Sequence, residues 1–434
     1  MAALLESFSP LLDWKAVIKN PLARGSALMF IGSMIGNFAN YIFNLLMGRG
    51  LGPEGYGTLA ALVSVLIIVS VPAAAFSTTI VKFTADGKAG AEWGRLALLF
   101  RRLGLVLTVI GFLTFLIFFF GQNLIGSLLN IQRPVSLIIL GLIFFITFPA
   151  TLSGGILVGL QKFPFISFNS VFSSLSKLIF GIIFVYFGFG VEGAMLAIFI
   201  SMFLPFIFSL YPLRFLFHEF REKVTIDWRP LIKYVFPALI ATLGLNLLTT
   251  SDIVIVKKFF NPHDAGIYSA LSLIGRVIFF ASGPVTTVMF SLVAERKASR
   301  QRYDHFLTAS ALALGGLSLA ITLFYALFPE FSVRFFFGEK YISAAPYLWL
   351  FGLFITLFSL CNLFVNFFLS IKETKAAMLA LPASFAQIIL ITLFHPNFLT
   401  VIEISTAVTA VFFLCLLVMY KRLDFKFETI TADL

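Results

Sequence analysis

Twelve apolar stretches, each about as long as a lipid bilayer is thick, follow one another with scarcely any polar chain between them. A helix rises about 1.5 Å per residue, so crossing a ~30 Å hydrocarbon core takes about 20 apolar residues. Such stretches fall at 26–48, 57–81, 103–121, 136–159, 166–188, 191–213, 233–256, 266–292, 306–328, 343–370, 376–394 and 399–420. The tightest separations are Phe187-Gly188-Phe189-Gly190 and His395-Pro396-Asn397-Phe398, where glycine and proline break helices. Hydrocarbon offers the backbone no partner, so the expected fold is all-α and polytopic. Composition agrees. Charged residues make up 12% of the 434, and 60% are hydrophobic, against about 25% charged in a soluble protein. Phenylalanine, with 56 copies, suits lipid contact but names no function.

The net charge of +11 would suggest nucleic acid in a soluble chain, yet the positions of the charges point to a membrane. Of 31 Lys and Arg, the connectors on one side take 23; those on the other take Arg49, Arg133, Lys257, Lys258, Arg334 and Lys340. The cation-rich side is expected to face the cytoplasm, with both termini. That makes the chain a multi-pass protein of the inner (cytoplasmic) membrane, with membrane lipids and not nucleic acid as its surroundings. Glu6 and Asp13 interrupt the first twenty residues, so no cleavable signal pattern is expected. Cys361 and Cys415 both lie in apolar runs and are expected to be buried free thiols. The longest cation-rich connectors, 82–102 and 214–232, are too short for a further domain.

The two halves resemble one another. Asp13-Trp14-Lys15 matches Asp227-Trp228-Arg229 at an offset of 214, and Gly52-Pro53-Glu54-Gly55-Tyr56-Gly57 matches Asn261-Pro262-His263-Asp264-Ala265-Gly266 at 209. Gly141-Leu142 matches Gly352-Leu353 at 211. Spans 1–6 thus repeat as spans 7–12. Six is even, so the repeats insert in the same sense, with a site expected between them. The expected lobes are 1–213 and 233–434, joined by a cytoplasmic linker at 214–232.

Polar residues inside the spans form stripes. Ser33, Asn37, Asn40 and Asn44 share one face of span 1. Thr242, Asn246 and Thr249 do so in span 7 and are the 209-offset equivalents of Ser33, Asn37 and Asn40. Span 5 adds Asn169, Ser173 and Ser176, and span 8 adds Ser269, Ser272 and Arg276. Such residues also join helices by hydrogen bonds, but equivalent stripes in both halves favour a shared hydrated cavity. Two cations lie deep: Lys177 roughly 16 Å and Arg276 roughly 15 Å from their span entrances. A charge there costs at least about 2.5 kcal/mol and is functional by default. Asp252 in span 7 is the one well-placed carboxylate, expected either to pair with Arg276 or to couple a proton or sodium ion. Arg24 and Lys82, at the ends of spans 1 and 2, could extend a positive path or snorkel to lipid phosphate. The sequence has no Walker A loop, metal cluster or nucleophile–base pair, so neither an enzyme nor a metal or cofactor site is expected.

Arg49-Gly50-Leu51-Gly52-Pro53-Glu54-Gly55-Tyr56-Gly57 resembles the R-x-L-G-P-x-x-Y-G entry of polysaccharide and O-antigen flippases of the Wzx type. Gly159-Leu160-Gln161-Lys162-Phe163, then Lys177 and Gly188-x-Gly190-x-x-Gly193-Ala194, are similar to their fourth to sixth helices. Ala265-Gly266-Ile267-Tyr268-Ser269-Ala270 resembles their opening of helix 8. These flippases belong to the multidrug/oligosaccharidyl-lipid/polysaccharide exporter superfamily. The resemblance implies a V of two six-helix lobes in the MATE-like fold. It also implies an alternating-access flippase for cell-surface polysaccharide biosynthesis, moving an undecaprenyl-pyrophosphate-linked oligosaccharide from inner to outer leaflet. A polysaccharide polymerase and glycosyltransferases would be its partners. On that reading Lys177, Arg276, Arg24 and Lys82 meet the pyrophosphate or acidic sugars, while Asn37, Asn40, Thr242 and Asn246 meet the glycan. The rival readings are a cation-coupled multidrug exporter of the same fold, and an envelope assembly protein that transports nothing. The first generally uses acidic residues in the N-lobe, and the first-half spans hold no central Asp or Glu; the paired stripes argue against the second.

Overall fold

A computed structural model of the chain describes residues 21–90, 93–131, 133–217, 229–299, 301 and 303–432; the side chains of 21–27, 75, 78, 95, 229–235, 237, 238, 298 and 423–432 fall outside the description. Every regular element among the described residues is helical. In order they are α1 (Pro21–Ala89), α2 (Trp93–Phe120), α3 (Gln122–Leu128), α4 (Val135–Gly159), α5 (Phe163–Tyr186), α6 (Gly190–Leu210), α7 (Arg229–Phe259), α8 (Pro262–Ala298), α9 (Asp304–Leu327), α10 (Pro329–Phe336), α11 (Leu348–Ser370), α12 (Thr374–Met378), α13 (Ala380–Leu393) and α14 (Phe398–Ala432). Two 3₁₀ segments, Tyr211–Phe217 and Glu339–Tyr347, follow α6 and precede α11.

Eleven of the described helical stretches are long and apolar enough to cross a membrane. The first holds two of the expected spans, because α1 breaks at Gly52 (φ 68°, ψ 178°). A positive φ suits glycine, and the following Pro53 starts a new helix, its missing N–H falling where no helical partner exists. The break therefore yields the expected twelve crossings. The connector after α2 and that after α9 are themselves helical, as α3 and α10. The eleventh span is divided at Leu379 between α12 and α13.

Contacts fall into two compact units. The first comprises Met1–Leu46, Phe76–Gln122 and Val135–Ile226; the second comprises Met47–Ala75, Asn123–Pro134 and Asp227–Leu434. Two stretches from the first half of the sequence thus belong with the second unit. In the first unit the start of α1 lies against α5, with Gly32 beside Ser167 and Gly36 beside Ser170 and Ser174. Lys88, near the end of α1, bonds the Leu160 carbonyl and the Gln161 side chain in the α4–α5 turn.

The second unit shows why the stretch around the break groups there. The helix opening at Pro53 and the helix opening at Pro262 meet at Gly57 and Gly266, the glycines related by the 209 offset. A Cβ on Gly57 would lie 2.7 Å from the Gly266 nitrogen, and one on Gly266 would strike the Pro53 carbonyl. Only the absence of side chains permits so close an approach of two backbones. Arg49, Asn130, Lys258 and the 335–341 segment gather at the same end. At another site in this unit Lys297 bonds the Ile371 carbonyl, tying the end of α8 to the end of α11.

Gly266→Ala is expected to destabilise the protein by about 1–3 kcal/mol through overpacking. Gly316→Ala in α9, where an added Cβ meets open space, should be neutral or gain up to about 1 kcal/mol of helix propensity. Thermal unfolding of the two purified variants checks this; equal melting temperatures would mean that the two helices do not meet at these glycines.

Candidate functional site

The second unit contains a cavity of about 420 Å³. The polar face of α7 supplies Thr242, Asn246, Thr249 and Thr250, α8 supplies Arg276 with Phe279 and Phe280, and α11 supplies Asn362 and Asn366. Ile67, from the stretch after the Gly52 break, completes one wall. The spacing that groups Thr242 and Asn246 in the sequence does so here. Their protons are partly committed: Asn246 donates to the Thr242 carbonyl at 2.9 Å, and the Thr249 and Thr250 hydroxyls donate to carbonyls one turn back. What they turn toward the cavity is therefore mainly acceptor lone pairs.

Asn362 and Asn366 escape the stripe analysis of spans 1, 5, 7 and 8. They stand one turn apart in α11, and the Asn366 amide donates to the Asn362 carbonyl at 2.8 Å and its side-chain oxygen at 3.2 Å. Their signal is visible in Cys361-Asn362-Leu363-Phe364-Val365-Asn366: two amides at i, i+4 in an otherwise apolar run.

Arg276 is the one formal charge among the described residues lining this cavity. Its Nη2 donates to the Thr249 carbonyl on α7, and its buried Nε has no partner. The expected ion pair with Asp252 is not formed. The two charges are within electrostatic range, but no salt bridge joins them among the described residues. Asp252 is fully buried, and its carboxylate instead accepts a hydrogen bond of 2.8 Å from the Tyr268 hydroxyl. Tyr268 lies sixteen residues on in α8, itself fully buried, and was not among the expected site residues. The other carboxylate oxygen, Oδ1, is buried without a partner.

The remaining stripe residues divide between roles. Ser269 and Ser272 are buried, and Ser269 donates to the Ala265 carbonyl within α8; of the span 8 stripe, only Arg276 reaches the cavity. In the first unit Asn37 is exposed, while Asn40 donates to the Ser174 hydroxyl of α5 at 3.3 Å. Lys177 sits 4.8 Å over the Phe43 ring, a cation–π contact that compensates part of its desolvation. Asn169 and Ser173 of α5 reach α6. Pro205 lacks an N–H and frees the Ser201 carbonyl one turn back; Ser173 donates to that carbonyl at 2.6 Å, and Asn169 donates to the Pro205 carbonyl at 3.0 Å. They also line a separate, uncharged cavity of about 470 Å³ in this unit. Lys82 is exposed on α1, and the side chain of Arg24 lies outside the described residues. Two further expectations are corrected. Lys257, placed in a connector by its charge, is in the last turn of α7 and 2% exposed. Cys361 is buried, but Cys415 is exposed on α14, where an apolar side chain can face lipid as well as a core.

An uncharacterised membrane protein of Methanocaldococcus jannaschii is 23% identical over 290 residues, covering 64% of this chain and 68% of that one. Among solved structures, an inward-facing multidrug resistance MATE family transporter of the MOP superfamily superposes with a TM-score of 0.72 at 16% identity, over 90% of this chain and 95% of that one. An inward closed conformation of the lipid II flippase MurJ gives 0.71 at 17% identity, over 91% and 87%. An outward-facing MATE transporter of the MOP superfamily gives 0.62 at 18%, over 94% and 98%. At these identities the likeness is one of fold. Residues 22–294, well over half of the chain, match the family model of polysaccharide biosynthesis proteins, and the chain belongs to that family.

Proposed function

We propose that the chain is a flippase of the inner membrane. By alternating access it carries an oligosaccharide linked to undecaprenyl pyrophosphate from the inner to the outer leaflet, for the assembly of a cell-surface polysaccharide. The observation that carries this reading is Arg276. A guanidinium lines a cavity among uncharged amides, hydroxyls and apolar side chains, with no carboxylate at salt-bridge distance among the described residues and its Nε unpaired. A charge held at membrane depth costs at least about 2.5 kcal/mol, and an anionic headgroup would offset that cost. The guanidinium fork matches phosphate oxygens. The acceptor-rich surroundings of Thr242, Asn246, Asn362 and Asn366 suit sugar hydroxyls, and the prenyl chain can remain in lipid. In the first unit Lys177, with Lys82 and Arg24 toward the cation-rich end and Asn37 and Asn40 on α1, offers further contacts for the headgroup and glycan. The family of polysaccharide biosynthesis proteins and the shared fold of a lipid II flippase support the same reading. The fold is equally that of multidrug transporters, but a cavity whose formal charge is positive disfavours cationic drugs. A polymerase and glycosyltransferases are the proposed partners on either side of the step.

In a host strain lacking the protein, Arg276→Ala should lower surface polysaccharide about 10- to 100-fold, the loss of one or two charge-assisted hydrogen bonds. Arg276→Lys should rescue poorly, because an ammonium lacks the fork, and Lys177→Arg should be milder than Lys177→Ala. Normal export by both alanine variants, at wild-type protein levels, would eliminate the cationic-cavity mechanism and return the drug exporter to first place. In a Cys361→Ala, Cys415→Ala background, single cysteines at positions 242, 246, 362 and 366 should react with a charged methanethiosulfonate, and one replacing buried Ser272 should not. Uniform protection would show that the cavity is dry and the stripe only joins helices.

For Asp252, coupling of a proton or sodium ion remains the proposed role. Asp252→Asn keeps an acceptor for the Tyr268 hydroxyl but removes the charge. Export by this variant should no longer respond to collapse of the driving ion gradient; an unchanged rate with an unchanged ion dependence would exclude coupling at this residue.

A further inference from the structure

We propose that two crossed hydrogen bonds at the cation-poor end of the second unit, Asn130 to the end of α7 and Tyr341 to the end of the first limb of α1, form a releasable strap between the sequence repeats. The last carbonyls of a helix have no partner within it. Here each is capped by the other repeat. The Asn130 amide, from the connector after α3, donates to the Lys258 carbonyl at 2.7 Å. The Tyr341 hydroxyl, from the connector after α10, donates to the Gly48 carbonyl at 2.6 Å. Arg49 returns a bond of 3.0 Å from Nε to the Phe336 carbonyl at the end of α10, and a second to Phe335.

The crossing follows the repeat. The accepting carbonyls, of Gly48 and Lys258, lie 210 residues apart and the donors, Asn130 and Tyr341, 211 apart, close to the offset of 209 that relates Gly57 to Gly266. Both straps are also built alike. Asn130 (φ 49°) and Gly338 (φ 87°) turn the chain through the left-handed region just past α3 and α10, and the main chain closes each helix end with a bond back to Gly126 or Val333, the motif that such residues support. A short helix with a fixed exit therefore presents one donor to one carbonyl, twice.

Three features make this arrangement a strap and not a permanent brace. Each tie is a side chain on a carbonyl, with no ladder of bonds to break together. Asn130 and Arg49 are exposed, so water can replace the bonds they give up. The Gly57–Gly266 contact beneath them is bare backbone on bare backbone, with no interdigitated side chains to withdraw. Tyr341 is the firm member: it is fully buried, with Phe337 at 5.0 Å and Tyr56 at 5.2 Å from Phe337. The inference rests on the flippase reading for its purpose, since a transporter that alternates has to undo whatever ties one end. MATE transporters of this fold have been solved in inward- and outward-facing forms.

The test uses the full chain with Cys361→Ala and Cys415→Ala, carrying Asn130→Cys and Lys258→Cys. In cells, a short bis-methanethiosulfonate should cut surface polysaccharide at least tenfold in the double variant, with recovery on adding dithiothreitol, while each single variant exports normally. In lipid nanodiscs, spin labels at the same two positions should show two distance populations, and Tyr341→Phe should shift the balance toward the longer. Undiminished export by the cross-linked protein, or one narrow distance that Tyr341→Phe leaves unchanged, overturns the strap. If deleting the protein leaves surface polysaccharide intact, the flippase reading falls, and the spin-label distances alone then decide the strap.

Discussion

Hydrocarbon leaves a main chain no hydrogen-bond partner but itself, and the structure is arranged around that constraint. Where the helices are unbroken, each backbone group is satisfied locally. Where the helical ladder is interrupted, a particular side chain stands in. Pro205 removes a donor inside α6, and Ser173 of the neighbouring α5 takes the carbonyl so freed. At the end of α7 the task falls to Asn130, and at the end of the first limb of α1 to Tyr341. Asn261 caps α8, its side chain accepting from the Asp264 amide at 2.8 Å. Much of the scarce polarity in this chain is accounted for in this way, which is why the polar groups left without such a task stand out.

Asp252 and Arg276 are the foremost of these. A buried carboxylate and a partly buried guanidinium on adjacent helices would normally be drawn together, since an unpaired charge away from water is costly. Tyr268 intervenes by holding one carboxylate oxygen, and the Thr249 carbonyl holds one arm of the guanidinium. Each charge is thus partly solvated by neutral groups, with one nitrogen of Arg276 and one oxygen of Asp252 unspent. A direct salt bridge would have satisfied both and left the cavity electrically quiet. Keeping them apart leaves a positive group lining the cavity and a carboxylate buried outside that lining, an arrangement that the proposed anion binding and ion coupling would use.

Most of the architecture was legible in the sequence because membrane helices are specified by length and apolarity. The Gly52-Pro53 break was legible because few residue types tolerate a positive φ, and the Asn261-Pro262 break because asparagine caps and proline opens a helix. The grouping of Thr242, Asn246 and Arg276 was legible in part: i, i+4 spacing fixes a face, but not what the face meets. That is why Ser269 and Ser272, on the same stripe as Arg276, proved to be buried in packing, and why Asn169 and Ser173 serve a proline in α6. Asp252 showed the other limit. Sequence could find a carboxylate and a cation in neighbouring spans, but the hydroxyl that separates them belongs to Tyr268, which reads as one more aromatic residue among many. The burial of Lys257 was hidden for a related reason, since charge placement marks a helix end without showing how that end packs.

The repeat sharpens the distinction between what the membrane dictates and what a substrate dictates. Positions that serve the fold are kept in pairs: Pro53 with Pro262, Gly57 with Gly266, and the crossed caps built on Asn130 and Tyr341. The two deep charges of α7 and α8 are not. The 209-offset partner of Arg276 is Ile67, and that of Asp252 is Phe43. Ile67 lines the very cavity into which Arg276 reaches, so the repeat has placed two equivalent positions in one lining and charged only one of them. Had the cation served helix packing, the symmetric solution would have been available to both halves at the same cost. A single charge set against its own apolar counterpart instead makes the cavity chemically uneven, a property that the proposed substrate, with an anionic headgroup and an uncharged glycan, would use.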